Sequence, residues 1–325
     1  MTLNSINTNS NAFIALESLN DTSAALSATQ KAISTGFRVA DASDDGASFA
    51  IAQKVRSDVS GLTTVTQQLG NAQGLVGVAT TALTSVSTDF ASAKSLLTDI
   101  ADSTTSSDQR SQDLTSFQNL VSLVANAVDG AVYNNQTLLG NNVTGTTTTA
   151  PTAGFSVVTD ENGSSTTIQS QDVVGGTDNT SGTSLNVAQT LASFAGLTFS
   201  RTQDATSGVV TDTFTGQDAS AGGAAFTAAQ TALAATTGAT SFSAALSQVD
   251  TSLNALGSDT NFINATITFT NDKIDSLNNG LGSLIDADLT KESALLQSLQ
   301  IKQQLGTQAL SIANQSPQSL LSLFR

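Results

Sequence analysis

Between residues 62 and 100 the apolar positions form two interleaved series spaced by seven. One is Leu62, Leu69, Val76, Leu83, Phe90 and Leu97; the other is Val65, Ala72, Ala79, Val86, Ala93 and Ile100. A seven-residue repeat keeps one stripe of a helix turned toward a partner, so the pattern is an a/d seam. It predicts a helix from roughly residue 46 to 102, about 80 Å long at ~1.5 Å per residue. A helix of that length is a rod whose stability comes from packing along its side. Gly70, Gly74 and Gly77 lie inside it. Each costs about 1 kcal/mol relative to Ala, so packing must offset them; close approach of a neighbouring helix is one reason to keep them.

A shorter seam follows, Leu114, Val121 and Val128 alternating with Phe117, Val124 and Ala131, and it reads as the return helix. A third lies far along the chain. There Leu246, Leu253, Ile267, Ile274 and Leu281 interleave with Val249, Leu256, Ile263, Leu277 and Leu284, interrupted by Thr260 and Thr270. The partners of the first rod thus come from opposite ends of the sequence. The expected fold is mainly α, with long antiparallel coiled-coil-like rod helices. Its expected rod core is Leu62, Leu69, Val76, Leu83, Phe90 and Leu97 with Ile263, Ile267, Ile274 and Leu277.

The outermost ends carry further stripes. Leu19, Leu26 and Ile33 are spaced by seven, with Leu16 and Phe37 on the adjoining row, and Leu289, Leu296 and Leu310 supply a similar stripe at the other end. One such helix cannot bury its stripe alone. The ends are therefore expected to order when they meet neighbouring copies. The expected self-association residues are Leu16, Leu19, Leu26, Ile33, Phe37, Arg38, Leu296, Leu310, Leu320 and Leu323. Arg38 is included because a guanidinium satisfies several carbonyls or carboxylates at once, at an interface or a turn.

Between residues 141 and 243 the heptads vanish and Thr, Ser and Gly dominate, with Arg201 as the one basic residue. Phe155 to Thr159, Asn162-Gly163 and Thr166 to Ile168 read as a β-hairpin; Leu197 to Ser200 and Val209 to Phe214 suggest another. A small, separate β-rich outer domain is the expectation. The chain then divides into an end helix over 1–42, rod helices over 43–140, the insert over 141–243, a rod helix over 244–285 and an end helix over 286–325.

Composition narrows the chemistry. The 325 residues include no Cys, His or Trp, which removes thiol and imidazole catalysis, their metal sites and disulfides together. No cofactor is expected. No apolar run approaches the ~20 residues of a membrane helix, so no membrane partner is expected. The stretch before Lys31 lacks the basic and apolar regions of a cleavable signal, so export would take another route. A net charge of −15, from 26 acidic and 11 basic residues, argues against nucleic acid. That charge lies between two neutral ends: Glu17 and Asp21 balance Lys31 and Arg38, and Asp286, Asp288 and Glu292 balance Lys291, Lys302 and Arg325. Surfaces with little charge crowd against copies of themselves at low desolvation cost. Asp44-Asp45 has no base or ligand beside it and reads as a cap. Asp286, Asp288 and Glu292 lack the glycine and further ligands of a calcium loop.

Particular residues carry a resemblance. Ile6-Asn7-Thr8-Asn9, then Ile33-Ser34-Thr35-Gly36-Phe37-Arg38-Val39, Asp44-Asp45 and Ala50-Ile51-Ala52, are similar to the N-terminal signature of bacterial flagellins. Asp286-Ala287-Asp288 with Glu292, Gln300-Ile301 with Gln303, Ala313 to Gln318 and Leu321 to Arg325 resemble that family's ending. The resemblance covers roughly residues 1–140 and 245–325. Ala40, Ser43 and Gly46-Ala47-Ser48 depart from the usual residues without touching the seams. It implies a structural, non-enzymatic subunit: an inner tube of end helices, an outer tube of rods and a variable exposed domain. As partners it implies further copies of the chain, a chaperone masking the C-terminal helix during type III export, the hook–filament junction and cap proteins, and other flagellins. In flagellins detected by the Toll-like flagellin receptor the rod shows two basic residues flanking one position, then a leucine. Here the stretch aligns as Ser92, Lys94 and Leu96, so weak or absent activation is expected. The rival readings are a hook–filament junction protein and an adhesin module displayed on a helical stalk.

Overall fold

The computed structural model describes residues 9–139, 154–171, 187–203, 210–216, 218–220, 223–235 and 241–323, with side chains as far as residue 315 apart from that of Gln203. In chain order the elements are α1 (Ser10–Thr35), α2 (Gly46–Ala101), α3 (Ser107–Asp129), β1 (Phe155–Val158), β2 (Ser165–Ile168), α4 (Val187–Ser193), β3 (Thr198–Gln203), β4 (Val210–Thr215), α5 (Ala224–Ala234), α6 (Phe242–Ile285) and α7 (Leu289–Leu323). Two compact units form: Met1–Gly61 with Asp272–Arg325, and Leu62–Asn271.

In the unit Leu62–Asn271, every member of both heptad series on α2 is buried, as are Leu114, Phe117, Val121, Val124, Val128 and Ala131 of the return segment. The α3 start is set by Ser106, whose Oγ accepts from the Gln109 amide, satisfying one of the donors a helix start leaves open. On α6, Val249, Leu256 and Ile263 are buried and Leu246, Leu253 and Ile267 half-buried. The two interrupting threonines fit the seam differently: Thr260 donates its hydroxyl back to the Leu256 carbonyl at 2.8 Å, and Thr270 is buried in line with Ile263. Within one chain the three glycines of the α2 seam differ. Gly74 alone is crowded, by the Tyr133 ring, whereas a Cβ at Gly70 or Gly77 meets nothing within 4 Å.

The described parts of segment 141–243 pack with the rods. Val157, Ile168, Leu191, Phe194, Phe199, Ala225 and Ala229 share one core cluster with α2, α3 and α6. Phe242 at the start of α6 lies 5.4 Å from the Phe90 ring and 5.6 Å from that of Phe194, so rod and insert meet on one aromatic cluster. Both hairpins form: Phe155 pairs with Ile168 on β1 and β2, and Phe199 with Phe214 on β3 and β4. Val209, part of the expected second pair, lies outside the described residues. The helices α4 and α5 were not expected. Their buried faces are Ala188, Leu191 and Ala192, and Ala225, Ala229 and Ala232, and a stripe of alanines has too little hydropathy contrast to read as a seam.

Two buried arginines bind the insert to the rods. Arg110 is fully buried. Its Nε donates to the Ile100 carbonyl at 2.9 Å, one terminal nitrogen to those of Asp102 and Thr105 at 2.6 and 3.1 Å, and the other to that of Ala219 at 3.2 Å. The guanidinium thus serves carbonyls left open where α2 ends and an insert backbone group, with the Phe226 ring 5.1 Å away. Arg201 pairs with its cross-strand neighbour Asp212 at 2.6 Å and with Asp129, the last residue of α3, at 2.9 Å.

Candidate interaction surface

In the unit Met1–Gly61 with Asp272–Arg325, α1 lies along α7. Asn9 caps α1 by accepting from the Ala12 amide at 3.1 Å and donates its side-chain amide to the Ala313 carbonyl at 2.7 Å. Gln303 reaches Ser23, and Leu19 sits over Gly306, where an added Cβ would stand 3.2 Å from its Cδ1. The helix ends at Gly36, whose φ of +74° is the left-handed closing conformation that glycine adopts without strain.

The connectors then meet edge to edge. Phe37 bridges Asp286, the Arg38 amide donates to the Ile285 carbonyl at 2.7 Å, and the Ala287 amide donates to the Gly36 carbonyl at 2.9 Å. One terminal nitrogen of Arg38 donates to the Leu284 carbonyl at 2.6 Å. Val39, Ala52 and Ile285 are buried here, with Phe37, Phe49, Leu281 and Leu284 against them, and the Arg56 guanidinium stands 5.6 Å over the Phe37 ring. Ile274 and Leu277 on α6 are half-buried.

Acidic residues fold the α1–α2 connector. Lys31 donates to Asp41 at 2.6 Å and to both oxygens of Asp44 at 2.8 Å. These bonds, first to Asp41 and then to Asp44, raise the Lys31 pKa. The Lys31 bond, followed by those from Ser43, holds Asp41 well below the usual carboxylate range, and the Lys31 bond with the Ala40 and Asp41 amides lowers Asp44. Asp45 accepts from the Ala47 and Ser48 amides at the start of α2, and Asp288 from the Thr290 and Lys291 amides at the start of α7. These aspartates act as caps and turn anchors.

The expected self-association residues therefore occupy different places. Leu19, Leu26, Ile33, Leu296 and Leu310 are half-buried. Phe37 and Arg38 serve the connectors, while Leu16 is exposed. The side chains of Leu320 and Leu323 lie outside the described residues. Within one chain each end helix lies against the other. What the pair leaves open is another set: Phe13 and Ile14 on α1, and Ile301, Leu305 and Ile312 on α7, which are 58, 58 and 69% exposed. The three α7 residues are spaced by four and seven, one helical face. Sequence reading followed the heptad row and passed over this one; the same sequence carries it, at Ile301, Leu305 and Ile312. Among the described residues, no helix is long and apolar enough to cross a membrane.

Both ends of the chain match known families in sequence. The family profile for the bacterial flagellin N-terminal helical region matches residues 6–144, and that for the bacterial flagellin C-terminal helical region matches residues 240–324. The chain belongs to the bacterial flagellins. Flagellin FljM of Caulobacter vibrioides is 33% identical over 326 residues, spanning 100% of both chains. A flagellin of Brucella melitensis is 32% identical over 323 residues, 99% of each. Flagellin FljJ of Caulobacter vibrioides reaches 51% identity over 86 residues, 26% of this chain and 31% of its own. This flagellin is a structural subunit of the extracellular flagellar filament, not an enzyme, and the junction-protein and adhesin readings are not favoured.

Proposed function

We propose that the flagellin polymerises through the outward faces of the α1–α7 pair. The observation that carries this reading is the apolar row Ile301, Leu305 and Ile312, exposed on a helix that already has a partner on its other side. Full burial of such a side chain contributes about 1.5–3 kcal/mol, so a few rows meeting across copies supply the drive for assembly. Phe13, Ile14 and Leu16 extend the face on α1. Leu19, Leu26, Ile33, Leu296 and Leu310 align the two helices that present it, and Phe37 and Arg38 fix the connectors beneath. Leu320 and Leu323, expected from the sequence in the same interface, have side chains outside the described residues. The test is seed elongation by full-length protein carrying Ile301→Ser, Leu305→Ser and Ile312→Ser together. Elongation should fall at least tenfold with helix content unchanged; elongation at the unmodified rate would overturn the reading.

The same apolar row is the surface an export chaperone would mask before assembly, and the filament's ends would meet the junction and cap proteins. The full-length likeness to several Caulobacter flagellins favours co-assembly with other flagellins. Ser92 is exposed beside Lys94, with Leu96 half-buried. Loss of a basic side chain at that place removes a favoured hot-spot residue, so activation of the Toll-like flagellin receptor is weak or absent. A reporter-cell assay with purified monomer checks this.

A further inference from the structure

The rod unit has a long belt without charge. In a chain of net charge −15, residues 62–88 of α2, 114–128 of α3 and 260–271 of α6 contain no Asp, Glu, Lys or Arg. Much of this belt is exposed, including Asn71, Gln73, Thr81, Thr84, Ser85 and Asn126. Exposed helix faces are ordinarily where charges reside, and their absence marks a surface that loses water at low cost.

Two features of opposite shape lie within the belt. Between α2 and α3 runs a groove of about 650 Å³ lined by Gly74, Gly77, Thr81, Ser85, Asn126 and Gly130 among others. On α6, Phe262 and Phe269 are 43 and 66% exposed. Seven residues apart, they share one face at a rise of ~10 Å. A cavity of ~150 Å³ holds one benzene ring, so the groove has room for both phenyl rings.

We infer that the Phe262/Phe269 ridge of one copy seats in the Gly77–Ser85 groove of the next, forming a rod-to-rod contact in the filament. A helical polymer requires heterologous contacts, in which one face of a subunit meets a different face of its neighbour, and a ridge with a separate groove supplies such a pair. Gly77 is the indicative position. It is open within its own chain and costs its helix stability, so its missing side chain serves no contact inside the monomer. The inference rests on self-assembly through the end helices as proposed above, and adds a second contact along the rods.

The test uses full-length protein and wild-type seeds. Gly77→Leu fills the groove, yet should melt at or above the wild-type temperature because nothing within the monomer opposes it. Its elongation should be at least tenfold slower. Phe262→Ser with Phe269→Ser should fold normally and show the same loss. Because the chain has no Cys, a Gly77→Cys copy and a Phe269→Cys copy can be mixed in filaments and oxidised. A cross-linked dimer should form in far higher yield than from Gly77→Cys mixed with Ser116→Cys, whose position is exposed on α3. Normal elongation by both filled-groove and ridge variants, or equal cross-link yields, would overturn the inference while leaving the end-helix reading standing. A wild-type chain unable to extend seeds would instead overturn the end-helix reading and this contact with it.

Discussion

The side-chain amide of Asn9 donates to the backbone carbonyl of Ala313 at 2.7 Å, joining residues 304 positions apart. The same side chain caps α1 through the Ala12 amide, so one residue both starts the first helix and clasps it to the last. Loss of an Asn cap costs about 1 kcal/mol. Asn9→Ala should lower amide-exchange protection along α1 and around Ala313 while leaving the α2–α3 region unchanged; uniform protection at both ends would contradict the clasp.

Arg110→Ala should be among the most damaging single changes in the rod unit. It removes bonds to the carbonyls of Ile100, Asp102, Thr105 and Ala219 together and leaves a void where α2 turns into α3. A loss on the order of 3 kcal/mol is expected in urea denaturation, given 1.5–3 kcal/mol for hydrogen bonds to charged groups and the penalty for orphaned acceptors. Arg110→Lys should recover little, since an ammonium lacks the planar fork that reaches separated carbonyls.

Arg201→Met should loosen the insert against the rods. Removing one partner of a buried ion pair costs on the order of 3 kcal/mol, here by taking the guanidinium away from Asp129 and Asp212. The Asp212 pKa is lowered although burial opposes it, because the Arg201 and Ser122 hydrogen bonds outweigh desolvation. A carboxyl held low in the fold stabilises it above the ordinary value of 3.8 and loses that contribution as pH falls through the folded value. Wild-type stability should therefore drop below about pH 4, and Arg201→Met should flatten part of that drop in denaturation curves taken across the acid range.

Asp89 has the opposite sign. Burial alone raises its pKa above 3.8, and its Oδ2 has no hydrogen-bond partner. A carboxyl raised in the fold opposes folding once pH exceeds the unfolded value, so the penalty is present at neutral pH and absent in acid. Asp89→Asn should raise the melting temperature at neutral pH and lose that advantage well below 3.8. The same gain at both pH values would point to packing instead of charge.

The rods were legible because burial along them obeys one period. Leu62 through Ile100 alternate as a seam, and all of those positions are buried. The hairpins were legible where turn chemistry marks them, as at Asn162-Gly163, where Gly163 adopts a φ of +87° and Asp160 accepts from the Asn162 and Ser164 amides. Three things were not legible. Alanine faces on α4 and α5 carry no hydropathy contrast. Arg110 looks like any polar residue at a helix start until its carbonyl cage is seen. The ends show two apolar rows, and no rule of spacing tells which faces the partner helix and which faces outward. Leu19 over Gly306 settles that only in three dimensions.

The central claim is that the end helices carry polymerisation, and seed elongation tests it most directly. Purified full-length flagellin and a form lacking residues 1–35 and 290–325 are each added to short filament seeds and followed by sedimentation and electron microscopy. Long filaments should grow from the intact chain alone; equal growth from the truncated form would contradict the account.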